Sequence, residues 1–359
     1  MQGNRSASFA FRRLCLWYNA PVREALSSQV NDSFPARKES LLRLVSLLAS
    51  ATEMLAELGV LDQLVGRSHE CDYPPVVTSL PLVSTVSIDT NVSSAEIDAQ
   101  IKQLAGIGPQ PQDPALQALS IYTIDTELLQ QLRPDVIFTQ TQCEVCAVSE
   151  RDVRRAVSQL IGWQPQIVSL APHRLGDVWE DMLRVGAAVG RIEQAQLCLQ
   201  GYQARLEGLR ERCEALISDR MPRLAILEWL DPLMGAGNWT PELVRYAGGE
   251  LLFGEIGQHT PWLSWEELRA ADPDVIVLAP CGFTLTRTMQ DLPILQAQPA
   301  WAQLRAVREK RVYAIDGNAY LNRSGPRLVE SAELIGYALW GEQAGGEINL
   351  SALQQILPS

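Results

Sequence analysis

Histidine is scarce, three in 359 residues, and no Ser, His and Asp grouping shows triad spacing, so triad hydrolysis is not expected. No window approaches the ~18 uninterrupted apolar residues of a membrane span. Basic residues are outnumbered, 30 Lys and Arg against 42 Asp and Glu, and they form no cluster. The resulting net charge of −12 suits a phosphate backbone poorly, which excludes nucleic acid as a partner. Gly235-x-Gly237 lacks the third glycine and the downstream acid of a dinucleotide loop. The seven cysteines are odd in number and scattered, which reads as reduced thiols rather than a disulfide framework. The longest apolar run near the start, Leu14 to Tyr18, is shorter than the ~7–15-residue core of a secretory signal. We therefore expect a cytoplasmic protein, and a periplasmic one only if the true start lies elsewhere.

What is present is a repeated plan. Glu127-Leu-Leu-Gln-Gln-Leu-Arg-Pro134-Asp135 leads into Val-Ile-Phe-Thr-Gln, and Glu266-Glu-Leu-Arg-Ala-Ala-Asp-Pro273-Asp274 leads into Val-Ile-Val-Leu-Ala. Each proline ends a helical stretch by excluding its predecessor from helical geometry. Each following run is apolar without polar alternation, which predicts a strand covered on both faces. Both halves also open with an apolar strand followed by a helix stopped at glycine, Gly59 in one and Gly248-Gly249 in the other. Alternating strands and helices predict parallel sheets.

The expected organisation is an N-terminal extension over 1–40, an α/β lobe over 41–173, a long linker helix over 174–218, a second α/β lobe over 219–342 and a tail over 343–359. Glycines in the linker point to a break or bend near Gly190. In open parallel sheets the site gathers beyond the carboxyl ends of the strands. Aromatics, cysteines and small residues concentrate there: His69, Cys71 and Tyr73; Cys143 and Cys146; Trp229 and Trp239; Cys281 and Phe283; Tyr320 and Arg323.

These segments resemble the class III periplasmic binding proteins, the vitamin B12 and iron-siderophore receptors of ABC importers. The likeness rests on Val45-Ser-Leu-Leu-Ala-Ser-Ala-Thr-Glu53, Cys71-Asp-Tyr-Pro-Pro75, Leu132-Arg-Pro-Asp135 and the helix opening Trp265-Glu266, in that order. It implies two Rossmann-like lobes joined by a long helix, with a small-molecule ligand, cobalamin or a related tetrapyrrole or metal chelate, held between them without catalysis. It further implies that Tyr73, Trp229, Trp239 and Tyr320 contact the ligand, and that Glu127 and Glu266 dock on arginines of an ABC permease. To the contacts we add Phe283 and Arg323, the latter for propionamide or carboxylate groups. A rigid linker implies limited lobe closure, and we expect a monomer.

The cysteines leave a second reading open. Cys143-x-x-Cys146 follows a strand and precedes a helix, a placement that suits packing thiols, a metal or cluster site, or dithiol redox chemistry. With Cys71 and Cys281 at other strand ends, four thiolates would complete a zinc or iron–sulfur site, and His69 is a further candidate ligand. On this reading the fold serves as a cytosolic thiol-based metal, iron–sulfur or redox protein.

Overall fold

The computed structural model describes residues 41–104, 122–141, 148–346 and 348–357. The extension expected over 1–40, and Cys143 and Cys146, lie outside them. Every regular element among the described residues belongs to the compact unit Leu42–Ser359.

The first lobe contains β1 (Leu44–Ser46), α1 (Ala49–Glu57), β2 (Leu64–Arg67), β3 (Ser84–Val86), α2 (Ser94–Leu104), β4 (Tyr122–Ile124), α3 (Thr126–Leu132), β5 (Val136–Gln140), α4 (Glu150–Val157) and β6 (Gln166–Leu170). Its sheet runs β2-β1-β5-β6, all parallel, while β3 and β4 form a separate antiparallel pair. Two helices follow, α5 (Leu175–Ala188) and α6 (Ile192–Glu214).

The second lobe contains β7 (Arg223–Leu227), β8 (Trp229–Leu230), β9 (Leu233–Met234), α7 (Thr240–Tyr246), β10 (Glu250–Leu251), α8 (Trp265–Ala271), β11 (Val275–Leu278), α9 (Leu285–Gln296), α10 (Arg305–Arg308), β12 (Val312–Ile315), α11 (Leu328–Trp340) and β13 (Leu353–Ile356). Its sheet runs β10-β7-β11-β12-β13, parallel except for the last strand. The expected α/β class with two parallel-sheet lobes is thus present. Central strands β1, β5 and β11 are buried at every position, as their unbroken apolar runs require.

The repeated motif acts as a clasp. Asp125 caps α3 by accepting from Leu128 N at 2.8 Å, and Ser264 caps α8 in a reciprocal box with Glu267. Both helices end on a left-handed residue, Arg133 and Asp272, each at φ 43°. The proline follows, and then an aspartate that reaches sideways to the lobe's first strand. Asp135 Oδ2 accepts from Arg43 N at 2.9 Å, and Asp274 Oδ2 accepts from Arg223 N at 2.8 Å. Arg220 and Arg305 also hold Asp274. Burial pushes this carboxyl up, but the hydrogen bonds from Arg220 and Arg223 N, with Arg305 alongside, outweigh it and bring it to about 2.

Of the break or bend expected near Gly190, the linker shows a break: it is two helices, because Gly190 at φ 67° ends the first. Gly186 lets the pair approach: a Cβ there would meet Ala195 Cβ at 2.8 Å. The segment expected as a tail supplies β13, pairing antiparallel with β12 from Val312–Ile356 to Ile315–Leu353. One apolar core runs without interruption from Leu44 and Met54, through Met182, Leu199 and Leu206, to Leu224 and Val277. The remaining sheet faces bury smaller clusters, around Leu47 in the first lobe and Leu278 in the second.

Candidate ligand-binding site

A cavity of about 100 Å³ lies between the lobes, where the strand ends converge. Ser50 and Glu70 line it from the first lobe, and Trp239, Cys281, Asn322 and Arg323 from the second.

Charge pairs close its mouth. Glu53, on α1 and 2% exposed, accepts from Arg327 Nε at 2.9 Å and Arg323 Nη1 at 3.1 Å. Arg323 also forks onto Asp72, at 2.7 and 3.1 Å, and donates to Asn318 Oδ1 at 3.0 Å. Asn318 Nδ2 returns to Asp72 at 2.9 Å. Such charge-assisted, partly forked bonds are the strong kind, and Glu53 and Arg323 are buried enough that neither can be left unpaired cheaply, whereas Asp72 is exposed. Burial pushes the Asp72 carboxyl up, but Arg323 and Asn318 hold it below its ordinary value. Arg327 stacks over Tyr73 at 4.3 Å and lies 5.3 Å from the Tyr320 ring, so one cation joins aromatics of both lobes.

A second bridge stands at the other edge. Arg287 Nη2 donates to Val92 O at 2.6 Å and Nη1 to Asp291 at 2.7 Å. Asp291 accepts from Ser94 N at 3.2 Å, and Lys102 sits 4.9 Å over Trp262.

The expected site residues divide. Trp239 and Arg323 line the cavity; Trp239 is 5% exposed and its Nε1 donates to Leu321 O at 2.7 Å. Tyr73 and Tyr320 flank Arg327 at the mouth instead. Trp229 packs on Phe283 at 5.1 Å and donates to its neighbour Asp231 O, while Phe283 also lies under Arg287. That pair is not among the cavity-lining residues. Glu127 and Glu266 are both exposed, each in the first turn of its helix, α3 and α8.

The metal-ligand set does not assemble among the described residues, which hold no group of three or more His, Cys, Asp or Glu arranged around an ion. Cys71 is wholly buried; Thr52 Oγ1 donates to its sulfur at 2.9 Å and the thiol points to Ser46 O. That burial pushes its titration up. Cys281 does face the cleft. Crowding by the walls, with the charges of Glu228 and Glu70, pushes its thiol up to about 12, so it stays protonated. His69 lies against Tyr122 at 5.3 Å, and burial, with Arg67 nearby, lowers its pKa.

Sequence reasoning passed over two carboxyls. Burial pushes Glu70 up to about 7 against the pull of Arg323, with Asp72 adding to the rise. Burial likewise pushes Glu228 up to about 7, although Thr260 and Thr240 donate to it at 2.7 and 3.2 Å. Their signal was available: Glu228 directly follows β7, and Glu70 lies three residues past the end of β2.

The model of the family described as periplasmic binding protein matches residues 44–319. The chain belongs to that family. Among curated relatives of this periplasmic binding protein, an uncharacterised ABC transporter substrate-binding lipoprotein, YvrC of Bacillus subtilis, is 21% identical over 313 residues, covering 86% of this chain and 83% of its own. The vitamin B12-binding protein of Pectobacterium carotovorum is 24% identical over 295 residues, covering 82% and 86%. A periplasmic heme-binding protein from Pseudomonas aeruginosa superposes with a TM-score of 0.62 at 20% identity, over 87% of this chain and 96% of that one. The periplasmic vitamin B12-binding protein BtuF of Vibrio cholerae gives 0.57 at 21%, over 85% and 98%. At these identities the structures speak for the fold, two lobes with an interlobe cleft.

The family corrects the cytoplasmic placement. Its description is periplasmic and a relative is a lipoprotein, so membership points outside the cytoplasm. Scattered cysteines show only that a large core needs no disulfide framework, which holds in any compartment.

Proposed function

We propose that this periplasmic binding protein captures cobalamin or a related tetrapyrrole or metal chelate in its interlobe cleft and hands it to an ABC permease. The observation that carries the reading is the cavity itself, walled from both lobes at the strand ends, with Trp239 in its lining. Relatives named for vitamin B12 and heme support the ligand class. Binding sites for such molecules span about 300–1,000 Å³, so the lobes must part to admit one. Parting separates Arg327 from Tyr73 and frees the Tyr73 ring for a flat macrocycle, while Arg327 stays beside Tyr320 in the second lobe. Each aromatic face so covered removes on the order of 150 Å² from water, worth ~4 kcal/mol before ordering costs. Glu127 and Glu266, exposed on corresponding helices of the two lobes, are the proposed permease contacts.

The test is a cyanocobalamin titration followed by tryptophan fluorescence. We expect saturable quenching, weakened about tenfold or more in Trp239→Phe. A flat response up to about 100 μM rules the corrinoid reading out. Binding to the host permease in vesicles, lost on combined Glu127→Lys and Glu266→Lys reversal, tests the docking; unchanged binding removes it.

A further inference from the structure

Among the described residues, the charged groups in the cavity lining are Glu70 and Arg323. Arg323 has its donors committed to Asp72, Glu53, Asn318 and the Glu70 carbonyl. Glu70 has no comparable partner: His69 Nε2 stands 4.0 Å away, and the burial that lowers the His69 pKa favours its neutral ring. Glu228 sits beside Cys281, whose N–H donates to the Glu228 carbonyl at 3.0 Å, and its carboxyl accepts from the Thr260 and Thr240 hydroxyls and from Gly237 N–H, none of them a cation. Separating the lobes would release Arg323 and Arg327, but it would release Glu53 and Asp72 with them. Two arginines then face Glu53, Asp72 and Glu70, with Glu228 next to Cys281, so carboxyls outnumber guanidiniums along the cleft. Asn322 adds to this, because its amide hydrogens go to Ala279 O and Gly317 O at 3.0 and 3.1 Å, leaving its oxygen as an acceptor.

We propose that Glu70, with Glu228 beside Cys281, sorts tetrapyrroles by the charge of their rim, so that the cleft takes a neutral, amide-edged corrinoid and refuses a carboxylate-edged porphyrin. This rests on the cleft-binding reading above. A carboxylate accepts from an amide N–H but repels a propionate, and in a site of low solvation that repulsion is screened weakly. At pH 8 both glutamates, which titrate at about 7, are ionised.

The experiment compares cyanocobalamin, neutral and amide-edged, with haemin, which carries two propionates, at pH 8. Wild-type protein binds cyanocobalamin at least about tenfold more tightly, and Glu70→Gln with Glu228→Gln narrows that preference by about the same factor through tighter haemin binding. Raising the salt on wild-type protein strengthens haemin binding and leaves cyanocobalamin unchanged, which tests the repulsion without any substitution. Haemin binding as tight as cyanocobalamin, a preference unmoved by the double substitution, or haemin weakened by salt overturns the sorting and leaves the cleft reading standing. If neither compound binds, the cleft reading itself falls.

Discussion

The first lobe meets the cleft with Glu53, Glu70 and Asp72, whereas the second meets it with Arg323 and Arg327, on sheets that begin from the same proline–aspartate clasp. Strand order near the clasp is also shared: the strand after Pro-Asp pairs with the lobe's first strand in both halves. The duplicated part is therefore the scaffold, and the loops beyond the strands have diverged into walls of opposite sign. Glu228 is the exception, an acid of the second lobe, and it adds to the surplus that three carboxyls against two guanidiniums already leave.

Stripping the cations should have the largest effect. With Arg323→Met and Arg327→Met, Glu53 is left buried without its guanidinium partners, and we expect about 3–5 kcal/mol of destabilisation in chemical denaturation. A loss below about 1 kcal/mol would show that the two walls are not energetically coupled. Asp274→Asn should cost about 2 kcal/mol, and that cost should depend on pH. The folded carboxyl lies at about 2 against an ordinary 3.8. Its contribution is therefore complete above pH 3.8 and disappears as pH falls through about 2. Denaturation of both proteins across that window should show the difference shrinking. Glu228→Gln should behave in the opposite sense. The folded carboxyl lies at about 7 against an ordinary 4.5, so its contribution is complete below 4.5 and is lost as pH rises through 7. The variant should gain about 1–2 kcal/mol over wild type at pH 8, read as a higher melting temperature, and nothing at pH 4. The smallest effect belongs to Glu127→Lys and Glu266→Lys, which should shift stability by under about 0.5 kcal/mol, because both side chains are exposed. A larger loss would assign these glutamates to the fold rather than to a partner.

The scaffold was legible because its signals are local. Pro134 and Pro273, the apolar runs behind them and Gly190 each act over a few residues. Pairing across the cleft was not, since Arg327 and Glu53 lie 274 residues apart and nothing in either segment names the other. Arg323 read as a free ligand contact for that reason. Cys71 misled in a different way. A strand-end position locates the backbone near the cleft, but Thr52 and Ser68 draw its sulfur into the first lobe. The closing strand escaped notice because Leu353-Gln-Gln-Ile356 is short and half polar, and only β12 beside it makes it a strand.

The unbroken apolar core that threads both linker helices has a consequence for how the molecule comes apart. Neither half owns a complete interior, so heat or urea should dismantle the chain in one cooperative step instead of melting the halves in turn. A gene cut between the linker helices would yield two fragments with sticky, half-finished interiors, competent only when made together.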